Sequence, residues 1–114
     1  MPEKSVYSLT EAGEREFEKL MMEISLVPVN IFFDFNAVIV NLDSVPNNRK
    51  AEYIGNIENS IRDLMTTIEE NIAAKENDDT IPETGKTVLR QQCALIKAID
   101  EWISELKNEI SKLE

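Results

Sequence analysis

Apolar residues recur along this chain at two spacings, and the change from one to the other falls at Thr10. Before it, in KSVYSLT, β-branched and aromatic residues with Tyr7 and Leu9 on one face predict a short strand. A hairpin needs a second such run within a few residues; none follows, so the strand's partner is missing or upstream. After Thr10, Phe17, Leu20, Met21 and Ile24 stand at i, i+3, i+4 and i+7, the stripe of a helix over about Glu11 to Ser25. The Thr10 hydroxyl is placed to accept an orphan N–H of the first turn, and Glu11 and Glu14 lie at the positive end of the dipole.

Pro28 ends this helix, and the run IFFDFNAVIVNL, Ile31 to Leu42, fits either period. As a strand it shows an apolar face of Ile31, Phe33, Phe35, Ala37 and Ile39. As a helix capped by Asn30, steps of ~100° bring Asn30, Asp34 and Asn41 within about 40° of one another, a polar stripe on an otherwise buried rod. Periodicity leaves both open, and the helical pattern downstream favours the helix. The cluster DSVPNN marks a turn. Beyond it Ile54, Ile57, Ile61, Leu64 and Ile68, extended by Ile72, form a heptad seam on a helix from about Asn48 to Ala74, about 40 Å long at 1.5 Å per residue. KENDDTIPETGK reads as a polar connection. A last helix, about Thr87 to Leu113, carries Leu95, Ile96, Ile99, Trp102, Ile103, Leu106, Ile110 and Leu113 on a wide stripe. The expected fold is all-α: an open antiparallel, coiled-coil-like arrangement of four helices after a short strand. Rods this long and one-sided leave apolar surface in water when single, so a homodimer is expected.

Composition narrows the chemistry. Twelve basic against 22 acidic residues, net charge −10, repel phosphate and anionic lipid, so these residues by themselves are not expected to hold DNA. Ile31–Leu42 is too short and too polar for the ~20 residues of a membrane span, and no basic-then-apolar leader opens the chain. With one cysteine, Cys93, there is no intrachain disulfide, and a cytoplasmic protein without membrane partners is expected. The absence of histidine removes the usual base and transition-metal ligand, and Cys93 inside an apolar helix has no histidine to activate it. ETGKT ends like a phosphate-binding loop but lacks the first glycine, where Thr80 stands, and the preceding strand. Asp78 and Asp79 lack the spacing of a calcium loop. Neither an enzyme nor a cofactor is expected. Asp34 among Phe32, Phe33 and Phe35 reads either as one wall of an aromatic effector pocket or as a solvated first-turn aspartate. Trp102 reads as a packing anchor at a dimer interface or as a ligand-stacking surface.

The run Tyr7, Leu9, Thr10, Gly13, preceded by PEK, resembles the end of the winged helix-turn-helix of PadR-family transcriptional regulators. There a wing strand of the form Y-x-L-T-x-x-G leads into a helix linking the DNA-binding and C-terminal domains. The remainder is similar to that family's longer C-terminal domains in layout: a helix near a proline, the SVPNN turn, a long helix, an acidic loop, and a last helix with a tryptophan midway. The resemblance implies a wing remnant over residues 1–10, a linker helix over 11–26 and a C-terminal dimerisation and effector domain over 27–114. The DNA-reading helices would precede Met1, leaving Lys4 as the one nameable phosphate contact. Two copies would space two winged-helix heads on an operator, through a dimer contact of Leu20, Met21 and Ile24 with Trp102, Ile103, Leu106 and Ile110. A small-molecule effector would meet Phe32, Phe33 and Asp34. The alternative is a standalone helical coiled-coil adaptor with no link to transcription.

Overall fold

The computed structural model describes residues 10–113, which contain helices and no strand. The expected strand before Thr10, and Lys4 with it, lie outside the described residues. The chain divides into two compact units, 1–33 and 34–114.

In the first unit, α1 spans Glu11–Ser25. Thr10 stays extended, with φ −69° and ψ 166°, and its Oγ1 accepts the Gly13 N–H at 3.0 Å, satisfying one of the first-turn donors. At the other end the Leu26 N–H donates to the Met22 and Glu23 carbonyls at 3.2 Å each. No residue of α1 is buried.

The second unit starts with α2, Asn36–Val40, and a 3-10 turn, Leu42–Ser44. This corrects the helix expected over Ile31–Leu42: only five of those residues are α-helical, and Asn30 caps nothing. β-branched Val38, Ile39 and Val40 restrict side-chain rotamers in a helix, and Asn41 leaves helical geometry at φ −108°, ψ 8°, its Nδ2 donating back to the Ala37 carbonyl at 2.6 Å. A segment this short is not stable as an isolated helix. Its apolar side chains Phe35, Ile39 and Leu42 hold it against the rest of the unit.

That rest is a hairpin of two long helices, α3 (Asn47–Lys75) and α4 (Glu83–Leu113). Ion pairs mark their register: Lys107 meets Glu58, Arg62 meets Asp100, and Arg90 meets Glu76. Residue numbers fall along α4 as they rise along α3, so the two are antiparallel. The expected start of the last helix at Thr87 moves back to Glu83, because the Pro82 carbonyl accepts the Gly85 and Lys86 N–H groups at 3.0 and 3.2 Å. In the connection, Asp78 Oδ1 accepts from the Thr80 N–H at 2.9 Å and from its hydroxyl at 2.6 Å. Arg90 then joins Glu76 to Glu83, the latter at 3.1 Å. The core between the rods is Ile54, Ile57 and Ile61 of α3 with Ile96 and Ile103 of α4, closed at one end by Leu42.

Candidate interaction surfaces

Stepping each helix at ~100° per residue away from this core separates the hairpin into two faces of opposite chemistry. One face is ionic. Glu58, 6% exposed, accepts from Lys107 Nζ at 3.2 Å and from Arg62 Nη2 at 3.3 Å, and Arg62 Nε lies 3.8 Å from Asp100. Lys107 and Arg62 stay more than half exposed, so their charges remain hydrated while the carboxylate between them is covered. At the turn end of the hairpin, hydrogen bonds to Glu76 and then to Glu83 raise the pKa of Arg90. The two hydrogen bonds from Thr80 hold the Asp78 carboxyl below the ordinary aspartate value.

The other face is apolar. On α4, Trp102, Leu95 and Val88 follow at intervals of seven on one side of the core line, with Leu106 beside them. Leu64 of α3 falls on the same side. The segment from Phe35 to Leu42 covers one end of this face: Phe35 stacks on Trp102 with ring centroids 5.8 Å apart and 21° between planes, and Ile39 and Leu42 pack toward Leu106 and Ile110. A cavity of about 260 Å³ lies there, floored by Ile39, Leu42, Leu106 and Ile110 and rimmed by Asp43, Asn47, Lys50 and Glu109. The rest of the face is open: Leu64, Val88 and Leu95 are each about half exposed.

A second apolar surface belongs to α1 in the first unit. Phe17, Leu20, Met21 and Ile24 form its stripe and are 47–68% exposed. At ~100° per residue, Glu16 and Glu23 flank the stripe on one side and Glu14 and Glu18 on the other, while Arg15 and Lys19 lie on the back of the helix. The stripe is therefore bordered by negative charge along both edges.

The residues expected at a dimer contact fall into two groups. Leu20, Met21 and Ile24 are exposed on α1. Ile103 is 0% exposed inside the hairpin core, which withdraws it as a contact with another molecule. Trp102, Leu106 and Ile110 are half-buried and pack against that same core. Of the expected effector contacts, Phe32 is exposed and Phe33 half-buried. Asp34 stands in the turn before α2 rather than in a first helical turn, and its carbonyl accepts the Ala37 N–H at 3.2 Å. None of the three lines the cavity of about 260 Å³. The Glu58 cluster and the Leu64, Val88, Leu95 patch were not singled out from the sequence, although the seven-residue spacing of Val88, Leu95 and Trp102 was legible there. No helix among the described residues is long and apolar enough to cross a membrane. Set against models of known families, curated proteins and solved structures, the chain finds no match.

Proposed function

We propose that this chain is the homodimerisation domain of a cytoplasmic DNA-binding transcriptional regulator of the PadR type. In this reading the DNA-reading helices lie outside the chain, and α1 is the lever between them and the dimer. The uncovered α1 stripe carries the proposal. At roughly 100 Å² for each half-exposed apolar side chain, Phe17, Leu20, Met21 and Ile24 present about 400 Å² that water should not keep in an isolated helix. A 15-residue helix with no buried residue gains most of its stability from a partner. The link to transcription rests on the resemblance of the Tyr7, Leu9, Thr10, Gly13 pattern to the wing-to-linker junction of that family, supported by Thr10 acting as the N-cap of α1 through the Gly13 N–H. Two copies would hold two winged-helix heads at the separation of successive operator half-sites. A small molecule at Phe32, Phe33 and Asp34 would act by favouring one head spacing over another.

Sedimentation velocity across about 1 to 100 µM tests the dimer, with a mass rising from one to two copies expected and a monomer throughout overturning it. The reading frame upstream of Met1 tests the setting. A winged-helix segment encoded there supports the regulator, whereas a stop codon just before Met1 leaves only an interaction module.

A further inference from the structure

We infer that, in the dimer proposed above, the α1 stripe of each copy seats on the open Leu64, Val88, Leu95 patch of the other copy's α3–α4 hairpin. The two seats form a reciprocal exchange, rather than α1 pairing with α1. The inference rests on the dimerisation reading and adds where on the second copy the stripe goes.

Charge decides against the simpler pairing. Each edge of the stripe carries glutamates, Glu16 and Glu23 on one side and Glu14 and Glu18 on the other, and its two basic residues point away. Two α1 helices packed stripe to stripe would bring these acidic edges together, and like charges so placed are destabilising. The hairpin patch has neutral borders: Ser60, Thr67 and Asn71 on the α3 side, Gln91 and Ala98 on the α4 side. It accepts an acid-edged stripe without that repulsion.

Spacing and area agree. Phe17 and Ile24 lie seven residues apart on α1, as Val88 and Leu95 do on α4, so both rows repeat at about 10.5 Å along their helices. Both rows are open in the single chain, with Leu64, Val88 and Leu95 at 51–52% exposure. At roughly 100 Å² each, the four stripe residues and three patch residues supply about 700 Å² per seat and about 1,400 Å² in two seats. That lies within the range of about 1,200–2,000 Å² for stable interfaces. The patch alone, about 300 Å² per copy, is too small to hold two hairpins together face to face. A two-fold exchange is closed, so it stops at two copies.

The test uses the full chain with two substitutions at exposed helical sites, Leu20→Glu in the stripe and Leu95→Glu in the patch. Circular dichroism against the parent confirms that the hairpin helices are kept, any loss of helicity being no larger than the 15 residues of α1. Each variant alone should dimerise about 30-fold more weakly than the parent or worse, as for loss of a central interface side chain. Mixed together, they should associate more tightly than either alone, because the intact stripe of the Leu95→Glu chain still finds the intact patch of the Leu20→Glu chain. A Leu95→Glu chain that dimerises like the parent would overturn the exchange and leave the dimer standing. A mixture no tighter than its components would overturn it as well. A monomeric parent would remove the dimerisation reading itself.

Discussion

Replacing Ile103 by alanine tests whether α4 spends its most buried side chain inside one chain or between two. Ile103 is 0% exposed between α3 and α4. The substitution removes three carbons, about 2.4 kcal/mol at about 0.8 kcal/mol per buried methylene. If the rods close only partly, a residual void of about 60 Å³ at about 24 cal/mol per Å³ adds about 1.4 kcal/mol. The expected loss is therefore about 4 kcal/mol, a large share of the ~5–15 kcal/mol available to a domain. Urea unfolding followed by circular dichroism, at a slope of ~2 kcal/mol per M, would show the midpoint falling by about 2 M. The comparison that matters is concentration. A core residue of one chain gives the same loss at about 1 µM as at about 100 µM, whereas a residue buried only between copies gives a loss that grows with protein concentration. A loss below about 1 kcal/mol in the dilute sample, or one confined to the concentrated sample, would refute the placement of Ile103 in the hairpin core.

Three other expectations follow from named contacts. Glu58→Ala should cost about 1–2 kcal/mol in the same urea assay, and Glu58→Leu less than about 1 kcal/mol, because Arg62 and Lys107 are exposed enough to return to water and an apolar side chain fills the covered site; a larger loss in Glu58→Leu than in Glu58→Ala would contradict this. Thr10→Ala should destabilise α1 by about 1 kcal/mol through loss of the bond to the Gly13 N–H, seen as faster amide exchange in the first turn of α1 with the hairpin amides unchanged. For Asp78 the folded pKa lies below the unfolded one, so its contribution to stability is present above the unfolded value and is lost as pH falls through the folded value. Carboxyl carbon NMR should show Asp78 titrating below the ordinary aspartate range, and Thr80→Ala should bring it back up. An unshifted Asp78 would deny the turn seen at Asp78–Thr80.

Helices with a one-sided stripe and clear punctuation were legible residue by residue. The Thr10 cap and the stripe from Phe17 to Ile24 placed α1, and the isoleucine seam placed α3 to within a residue at each end. The start of α4 was not legible because its first turn, ETGK, is polar and holds a glycine; the Pro82 carbonyl, rather than any side-chain pattern, opens the helix. Ile31–Leu42 failed for a different reason. Its apolar residues satisfy both periods, and only docking on the hairpin, with Phe35 against Trp102, selects the five-residue α2 over a longer helix or a strand.

From the sequence alone came the all-helical class, the two long rods and the acidic, histidine-free composition. Which neighbour covers each apolar residue was decided only by tertiary structure. Trp102, Ile103, Leu106 and Ile110 lie on one stripe in the sequence, as does the α1 set, and nothing in their spacing tells an intrachain partner from a second molecule. The hairpin connection brings α3 back along α4 and buries Ile103 within the chain, while Leu64, Val88 and Leu95 on the same rods stay open. Periodicity is a property of one helix; burial is a property of two surfaces meeting, so only the packed chain shows which apolar positions are satisfied and which still face water.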